Sequence, residues 1–531
     1  MSTAPDIAAL CERCGVAPRY SSFWGEDKPV GEATLRRALA AMGVSQDHAP
    51  PARDDEWPRV RVAAEHTTHS IRWRGATSTG MWHLRPVDAE KSAQPRKGEL
   101  HSSGEVRSIE LPADLERGYW QLDAGSGEQC LVIVAPQRCW TPPALQAGER
   151  WWGLTIQLYA LRSSHDWGIG DFGDLRRLVE IASRQGASFI GLSPLHALFP
   201  HRPEVASPYS PSSRNALNPI YIDVQLLLDQ GGCRDAAVHV NSDAFQERLH
   251  ALRETELVDY AGVAAAKEQV LLMLWRHFEA KELGRHTARA AQFEAFAQAR
   301  EQTLGRHALF EALQAHFFAR DAGVWGWPAW PAEYRDIDAD CVKAFAREHA
   351  SEVRFRLWLQ WVAELQLEGV QRYARSRGMG LGLYCDLAVG SNEGGAETWV
   401  QPGLYALGMH VGAPPDPLNA LGQDWGLPPV NPVALHDARF APWIETVRAN
   451  MRHAGALRLD HVMSLMRLFW IADGDGTYVS YPLDEMLGIL ALESHRHECM
   501  VIGEDLGNVA PRMREAMAAH ALLSYRPLLF E

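Results

Sequence analysis

The sequence predicts an α/β fold built on a (β/α)8 barrel, with helical insertions and an N-terminal extension of short helices and a small β-sandwich. Two observations predict the barrel. Buried strand-like runs alternate with helical patterns, and acidic residues stand where several of these runs end. In such a barrel the chemistry collects at the C-terminal ends of the strands. A doubly wound parallel sheet would also alternate strands and helices. We favour the barrel because Asp386, Asp460 and Glu504 all follow strand-like runs.

Composition narrows the possible classes of protein. The 531 residues, 46% hydrophobic and 22% charged, are typical of a globular chain with several domains. No run approaches the roughly 18 apolar residues that a membrane span needs. The net charge of -14 argues against a nucleic-acid partner. The start of the chain has no secretion-signal pattern, so we expect a cytoplasmic location. Cys11 and Cys14 form a lone C-x-x-C pair, and we expect neither a metal nor a cofactor.

The first part of the chain changes character twice. Residues 1–58 predict a helical segment, carried by IAALCERCGV and GEATLRRALAAMGV, and end in a Pro- and charge-rich stretch. Residues 59–140 contain short alternating runs such as VRVAAEH, EVRSIELP and CLVIVAP, which predict a small β-sandwich. This module could bind carbohydrate or serve only for packing, and the sequence favours neither.

Residues 148–531 predict the barrel, with a mainly helical insertion at about 225–375. Strand, helix and strand in succession make the βαβ unit of a parallel sheet. Six such strands are predicted, at 151–161, 189–198, 381–389, 456–463, 500–507 and 524–531.

Two of the acidic residues at strand ends suggest catalysis. Asp460 in ALRLDHVM and Glu504 in VIGEDLG end successive strands, so both carboxylates are expected at one mouth of the barrel. Retaining glycosidases use two carboxyl groups about 5–5.5 Å apart. Strand alternation puts Arg458 on the face of Asp460, where its charge would keep that carboxylate ionised. Acidic residues after strands also cap helices, and the spacing alone leaves the reaction open.

Several long motifs then resemble one family. RLDHVMSLMRLFWI, VIGEDLG, SPYSPSSRNALNPIYIDV, WPAWPAEYRD and GAPPDPLNALGQDWGLPP are similar to blocks of the amylomaltases, the 4-α-glucanotransferases of glycoside hydrolase family 77. The resemblance implies that maltooligosaccharides and α-1,4-glucans are the substrates. It also implies that Asp460 is the nucleophile and Glu504 the general acid/base of a retaining double displacement.

The resemblance implies sugar-binding roles for further residues. Arg458 and His461 would contact the donor sugar beside the cleaved bond. The segment Gly412–Trp425 resembles the family's mobile loop over the acceptor side. The other implied sugar contacts are Ser207, Tyr209 and Asn218 on the donor side, Asp386 at its strand end, and Asp416 and Trp425 in the loop.

The sequence departs from the family in one respect. Members carry a third carboxylate, an Asp in a His-Asp motif on a later strand, and no such motif follows Glu504. We therefore expect a C-terminally truncated barrel that lacks its last two strands. The leading hypothesis is a 4-α-glucanotransferase. The alternatives are a plain α-glucan hydrolase and a glucan-binding, catalytically impaired fragment.

Overall fold

The computed structural model describes residues 7–44, 57–74, 80–89, 93–103, 105–125, 129–417 and 419–528. The chain divides into two compact units. Unit 1 comprises Met1–Pro143, Gly403–Met451 and Arg458–Glu531, and unit 2 comprises Ala144–Pro402 and Arg452–Leu457. No helix in the described ranges is long and apolar enough to cross a membrane.

Unit 1 begins with short elements and a two-sheet sandwich. The first elements are α1 (Ile7–Cys14), β1 (Arg19–Ser21), β2 (Asp27–Pro29) and α2 (Glu32–Ala41). The sandwich strands are β3 (Val60–Ala64), β4 (His69–Arg74), β5 (Met81–Ala89), β6 (Arg96–Glu99), β7 (His101–Ser103), β8 (Val106–Leu111), β9 (Gly118–Asp123) and β10 (Gln129–Ala135). Their two sheets have the orders β3-β10-β9-β5-β6 and β4-β8-β7.

The sandwich core follows from alternation along its strands. In β4 and β5 every second residue is buried over part of the strand, which brings Trp73, Trp82 and Leu84 into one apolar cluster with Trp120. Strand β5 was not among the predicted runs, although its burial pattern alternates. A proline within it, Pro86, obscured the signal, since proline is uncommon in central strands.

Unit 2 contains three of the parallel strands and most of the helices. A short helix, α3 (Pro143–Gln146), enters it from unit 1. Its strands are β11 (Gly153–Ile156), β12 (Phe189–Leu192), β13 (His196–Ala197), β14 (Ser213–Leu217) and β15 (Gly382–Leu387). Its helices are α4 (Phe172–Arg184), α5 (Val224–Gly231), α6 (Arg234–Val240), α7 (Asp243–Arg253), α8 (Tyr260–Lys281), α9 (Ala288–Ala299), α10 (Arg306–Arg320), α11 (Asp340–Glu348), α12 (Ala350–Ser376) and α13 (Ala396–Val400).

The helices of unit 2 pack through aromatic side chains. Trp275 and Phe278 on α8 meet Trp358 and Trp361 on α12 at ring-centroid distances of 5.7–6.0 Å. Rings at such distances and tilts pack favourably beyond their buried area. Tryptophans of the helical region therefore build its core.

Helix α4 shows how a loop after a parallel strand is fixed. Asp171 caps the helix, and its carboxylate accepts hydrogen bonds from the backbone N–H groups of Gly173 and Asp174. The segment from Gly168 to Gly173 has the G-x-G-x-x-G spacing of phosphate-binding loops. Because the Asp171 carboxylate already takes the donors at this helix end, the segment serves as a capped turn.

The remainder of unit 1 begins at residue 403. Its strands are β16 (His410–Ala413), β17 (Gln423–Leu427), β18 (Ala456–Leu459), β19 (Arg467–Ala472), β20 (Asp475–Ser480), β21 (Met500–Gly503) and β22 (Leu523–Ser524). Its helices are α14 (Pro432–Asp437), α15 (Ala441–Met451), α16 (Leu483–His497) and α17 (Pro511–Ala519). Strands β17-β16-β19-β20 form an antiparallel sheet that the sequence pattern did not predict.

The six predicted parallel strands are all found, in chain order. Strand β18 is divided between the two units, its first two residues in unit 2 and its last two in unit 1. In unit 2 the order is β11, β12, β15 and β18, and in unit 1 it is β18, β21 and β22. The strands are shorter than predicted. The last was expected at 524–531, but β22 ends at Ser524, and residues 529–531 lie outside the described residues.

Candidate active site

Asp460 directly follows strand β18, and Arg458 lies two residues before it. Because side chains alternate along a strand, both point to the same face. Nη2 of Arg458 lies 2.9 Å from Oδ1 of Asp460, and the two side chains are 16% and 22% exposed. The carboxylate therefore has a cationic partner while remaining partly open to solvent.

Burial decides the net pKa of Asp460. Desolvation raises the pKa, and the charge and hydrogen bond of Arg458 lower it, but burial is the larger effect and the pKa is raised. The sequence argument expected Arg458 to keep this carboxylate ionised. The guanidinium does act in that direction, yet it only offsets part of the cost of burial.

Glu504 follows strand β21 and is held by backbone donors. The N–H of His461 donates to its Oε2 at 3.0 Å, and the N–H of Leu506 donates to its Oε1 at 2.8 Å. The backbone N–H of Glu504 itself bonds to Leu459 at 3.0 Å, a contact between β18 and the end of β21 within unit 1. Neighbouring parallel strands thus bring the two carboxyl-bearing ends together, as the spacing predicted.

The pKa of Glu504 is raised, first by burial and then by the negative charge of Asp460. The two backbone N–H groups and Arg458 act in the opposite direction. A neighbouring carboxylate that raises the pKa of a second one is the arrangement that keeps an acid protonated beside a base.

His461 joins these two residues through an unusual backbone conformation. Its φ is 48°, in the left-handed region that non-glycine residues adopt rarely. This conformation lets its N–H reach Glu504. Burial and the charge of Arg467 lower the pKa of the imidazole to about 4, so the ring is neutral near pH 7. Such strain clusters at functional sites, where the surroundings must hold it.

Two aromatic side chains lie beside this cluster. The ring of Trp425 on β17 meets His461 edge-on, with centroids 5.1 Å apart. The guanidinium of Arg458 lies 5.4 Å from the ring centroid of Tyr525. The sequence analysis did not predict Tyr525 as a site residue, although its position directly after a parallel strand could have indicated it. Asp505 fixes this strand end, since its carboxylate accepts hydrogen bonds from Ser524 Oγ at 2.6 and 2.7 Å.

Asp416 lies in the connection between β16 and β17. Its Oδ1 accepts a hydrogen bond from the N–H of Asn419 at 2.7 Å, and its own N–H donates to the Asn419 carbonyl at 3.1 Å. The residue closes a turn. At the base of the same hairpin, His410 lies 3.0 Å from Asp424.

The remaining predicted residues belong to unit 2. The Tyr209 hydroxyl donates to Oδ2 of Asp386 at 2.9 Å. Asp386 is 6% exposed within β15, and Tyr209 is 39% exposed. Ser207 is exposed, two residues before Tyr209 in the same turn. Oδ1 of Asn218 accepts from the N–H of Ile220 and caps a short 3₁₀ turn. Among these residues, Tyr209 and Asp386 are therefore in direct hydrogen-bond contact.

No group of three or more His, Cys, Asp or Glu side chains with metal-binding geometry occurs among the residues that the structure describes. The chemistry offered by the described cluster in unit 1 is that of two carboxyl groups with different donors. One is paired with a guanidinium, and the other is held by backbone N–H groups.

Models of two protein families match parts of this chain. A family model described as 4-alpha-glucanotransferase matches residues 156–531, and a model described as MalQ N-terminal beta sandwich domain matches residues 51–136. A 4-alpha-glucanotransferase of Haemophilus influenzae is 40% identical, covering 100% of this chain and 76% of the relative. One of Mycobacterium bovis is 35% identical, covering 99% and 76%.

A solved structure shares the fold. The crystal structure of amylomaltase from Corynebacterium glutamicum superposes with a TM-score of 0.79 at 28% identity, covering 98% of this chain and 74% of that one. The chain therefore has an amylomaltase-like α/β fold with a parallel sheet and many helices. A family match over more than half the chain and relatives at 35–40% identity along its length lead to one conclusion: the chain belongs to the 4-alpha-glucanotransferase family.

Proposed function

We propose that this chain cleaves an α-1,4-glucan and transfers the released segment to the 4-position of an acceptor glucan or glucose. The observation that carries the mechanism is the pairing at the ends of β18 and β21. Asp460 has the guanidinium of Arg458 at 2.9 Å, and Glu504 has two backbone donors and a pKa raised in part by Asp460.

The proposed reaction has two displacements. The Asp460 carboxylate attacks the anomeric carbon while Glu504 gives its proton to the departing 4-oxygen, so the glycosidic bond breaks and a glycosyl ester forms. The 4-hydroxyl of an acceptor then gives its proton to Glu504 and attacks the same carbon. The ester bond breaks, Asp460 is released as a carboxylate, and the configuration is retained.

The other residues have proposed roles in binding. Arg458 and His461 would contact the donor sugar, with His461 also orienting Glu504 through its backbone N–H. Tyr209 and Asp386, which bond to each other, would bind donor hydroxyls together with Ser207 and Asn218. Trp425 and Asp416 on the β16–β17 hairpin would bind the acceptor. The partly exposed ring of Trp425 suits the apolar face of a sugar.

Further proposals concern the architecture of the chain. We propose that the parallel strands belong to a (β/α)8 barrel. We also propose three segments: 1–58 as a helical segment that also contains the paired strands β1 and β2, 59–140 as a sandwich-like domain and 148–531 as the catalytic domain, with its helical insertion at about 225–375. A cytoplasmic location stays a prediction.

Maltotriose disproportionation tests the proposed function. Incubation should give glucose together with maltotetraose and longer oligomers, resolved by anion-exchange chromatography. Glucose and maltose alone would instead identify a hydrolase. Binding of maltooligosaccharides in calorimetry without any product would favour a glucan-binding protein, which is the alternative that the family relatives do not favour.

A further inference from the structure

Unit 2 contains a pocket whose polar groups, apart from Asn218, have no role in the proposed reaction. It lies among helices α8, α10 and α12 and two segments at residues 197–203 and 218–220, and every lining residue belongs to unit 2. The pocket has a volume of ≈ 70 Å³. Since one water needs about 10–15 Å³ by this measure, roughly five to seven non-hydrogen atoms can fit.

Most of the lining is apolar. Leucine, isoleucine, proline, alanine and phenylalanine side chains contribute over half of the residues, among them Phe199, Leu271 and Leu359. A mostly apolar wall with a few polar groups is the usual composition of a small-molecule site. The polar groups therefore decide which molecule is bound.

Several polar groups of the lining are already satisfied by the protein. Nζ of Lys267 bonds to Asp171 at 3.1 Å and to two backbone carbonyls at 2.8 Å. Arg356 bonds to Glu268 and Glu352 at 2.8–2.9 Å. The side-chain amide of Gln360 bonds to the backbone of Leu217 in both directions at 2.9 Å. These groups have little left to offer a ligand.

Glu311 and His307 on α10 differ from them. Glu311 is 4% exposed and His307 is 5% exposed, and both line the pocket. No described residue makes a hydrogen bond to either carboxyl oxygen of Glu311 or to Nδ1 of His307. Buried polar groups are nearly always hydrogen-bonded, so a carboxyl group left without a protein partner needs an explanation. A ligand that bonds to Glu311 supplies one.

The charge state of the lining selects the ligand class. Burial raises the pKa of Glu311 to about 8, which outweighs the opposing charge of Arg356, while Glu268 adds to the rise. Burial lowers the pKa of His307 to about 4. Near pH 7 both groups are neutral, and the charges of Lys267 and Arg356 are paired within the protein. A charged ligand would lose its hydration without gaining a free counter-charge.

We propose that this pocket binds a small uncharged molecule with an apolar body and one hydroxyl group, which bonds to the carboxyl group of Glu311. The neutral acid both donates and accepts, so it suits a hydroxyl group, which does the same. The apolar body packs against the leucine, proline and phenylalanine side chains. Binding at this site does not depend on the proposed transfer reaction.

Cyclohexanol is a suitable probe, because it has seven non-hydrogen atoms and a single hydroxyl group. Binding to the full chain is measured by saturation-transfer NMR and by calorimetry, without any glucan present. We expect saturable binding by the wild type. Absence of saturable binding up to the solubility limit of cyclohexanol would overturn the proposal.

Two substitutions at one position test the role of Glu311. Glu311→Met keeps the length of the side chain and removes its hydrogen-bonding atoms, and we expect binding at least about tenfold weaker. Glu311→Gln keeps a neutral donor and acceptor, and we expect affinity within about threefold of the wild type. Circular dichroism and the unfolding midpoint establish that both variants are folded. Equal affinity of Glu311→Met and the wild type would refute the assignment.

Two further measurements, one of affinity and one of displacement, test the ligand class and the site. Cyclohexylammonium has the same body with a charge, and we expect it to bind more weakly than cyclohexanol. Tighter binding of the ammonium would show that an ionised carboxylate is the partner and would refute the uncharged class. Displacement of cyclohexanol by maltotriose would show that the pocket is part of the sugar site. We expect no displacement.

Discussion

Burial raises the pKa of the carboxyl groups at the strand ends of unit 1 and of the one on helix α10 of unit 2, but among the described residues only the strand-end groups have hydrogen-bond donors. Asp460 has Arg458, and Glu504 has the N–H groups of His461 and Leu506. Glu311 has no hydrogen-bond partner among the described residues. Its pKa is raised to about 8. The pKa values of Asp460, Glu504 and Glu311 are thus all raised. The groups differ in their hydrogen-bond donors, and this difference explains why we assign catalysis to the first two and ligand binding to Glu311.

Backbone geometry accounts for the difference. Where a parallel strand ends, successive N–H groups are no longer committed to a neighbouring strand, so a carboxylate there can accept from them. Within a helix the N–H groups are already bonded four residues back. A carboxyl on a helix such as Glu311 must find a side-chain partner or remain neutral. Strand ends are therefore the better place for a carboxylate that has to ionise.

A fourth carboxyl group shows the other solution on a helix. Glu493 on α16 is fully buried, yet its Oε1 accepts from Arg448 at 2.8 Å, Arg496 at 3.1 Å and the Tyr119 hydroxyl at 2.8 Å. Side chains from α15, α16 and β9 therefore supply the hydrogen-bond donors that the backbone of a helix cannot supply. The contrast among these carboxyl groups leads to four predictions.

The largest effect is expected at the strand ends. Asp460→Asn removes the proposed nucleophile and should lower kcat/KM for maltotriose disproportionation by at least about a thousandfold. Glu504→Gln removes the proposed proton donor and should lower it by about a hundredfold to ten-thousandfold. Initial rates of glucose release give both values. Asp437→Asn and Glu515→Gln, at exposed positions on helices, are the matched controls.

An activated donor separates the two roles. Maltosyl fluoride has a leaving group that needs little protonation, so Glu504→Gln should still form the glycosyl ester and accumulate it, whereas Asp460→Asn should not. Intact-mass spectrometry followed by peptide mapping detects the adduct. An adduct on any residue other than Asp460 would show that the nucleophile is misassigned.

A smaller effect is expected from removing the donor of Asp460. Arg458 lowers the pKa of Asp460, so Arg458→Gln should raise that pKa further. The reactive form is the carboxylate, and less of it is then present on the acidic side. The acidic limb of kcat/KM against pH should therefore move to higher pH.

Arg458→Lys is the matched variant for this measurement. It keeps the charge and loses the planar guanidinium, so its acidic limb should move less than that of Arg458→Gln. Equal movement of the two variants would mean that hydrogen-bond geometry, and not charge, sets the pKa of Asp460. An unmoved limb in both would remove Asp460 from the titrating step.

The pairing of Asp460 and Arg458 could be predicted from the sequence because strand alternation is local. The approach of Glu504 was also predictable, since consecutive parallel strands end at one edge of a sheet. The contacts of His461 could not be read from the sequence. They depend on the φ of 48° at His461. Non-glycine residues adopt positive φ only rarely, so a histidine in the sequence does not predict this conformation. The contact between Arg458 and Tyr525 depends on tertiary packing.

The parallel strands themselves were predictable for a similar reason. Each strand reads as a continuous apolar run, as buried parallel strands do. The antiparallel sheet β17-β16-β19-β20 was missed, because its strands are interrupted by Gly-, Pro- and Asp-rich segments such as GAPPDP and ADGDG. Glu311 was missed as well. A glutamate within a helical pattern looks like a solvent-facing residue, and only the packing of α8 and α12 buries it.

The third prediction concerns stability at the partnered helix carboxyl. Glu493→Gln leaves the charges of Arg448 and Arg496 with Asp88 as their remaining partner. Removal of one member of a fully buried pair costs about 3–5 kcal/mol. Since the two arginine side chains are 26% and 24% exposed, we expect a loss of about 2 kcal/mol in the free energy of unfolding. Urea unfolding measures it, and Glu32→Gln in an exposed pair should change nothing measurable.

The last predicted effect has the opposite sign and depends on pH. In the folded protein Glu311 keeps its proton up to about pH 8, whereas an unfolded chain loses it near the ordinary pKa of 4.5. Unfolding of the wild type therefore releases a proton between these values, and its stability falls as the pH rises through this window. Glu311→Met has no proton to release. Its advantage in the free energy of unfolding should be smallest at pH 4.5, grow by up to about 1.4 kcal/mol per pH unit as the pH rises to 8, and stay constant above that. Urea unfolding at pH 5, 6.5 and 8 measures it. Parallel curves for the two proteins would mean that Glu311 ionises in the folded state and has a partner after all.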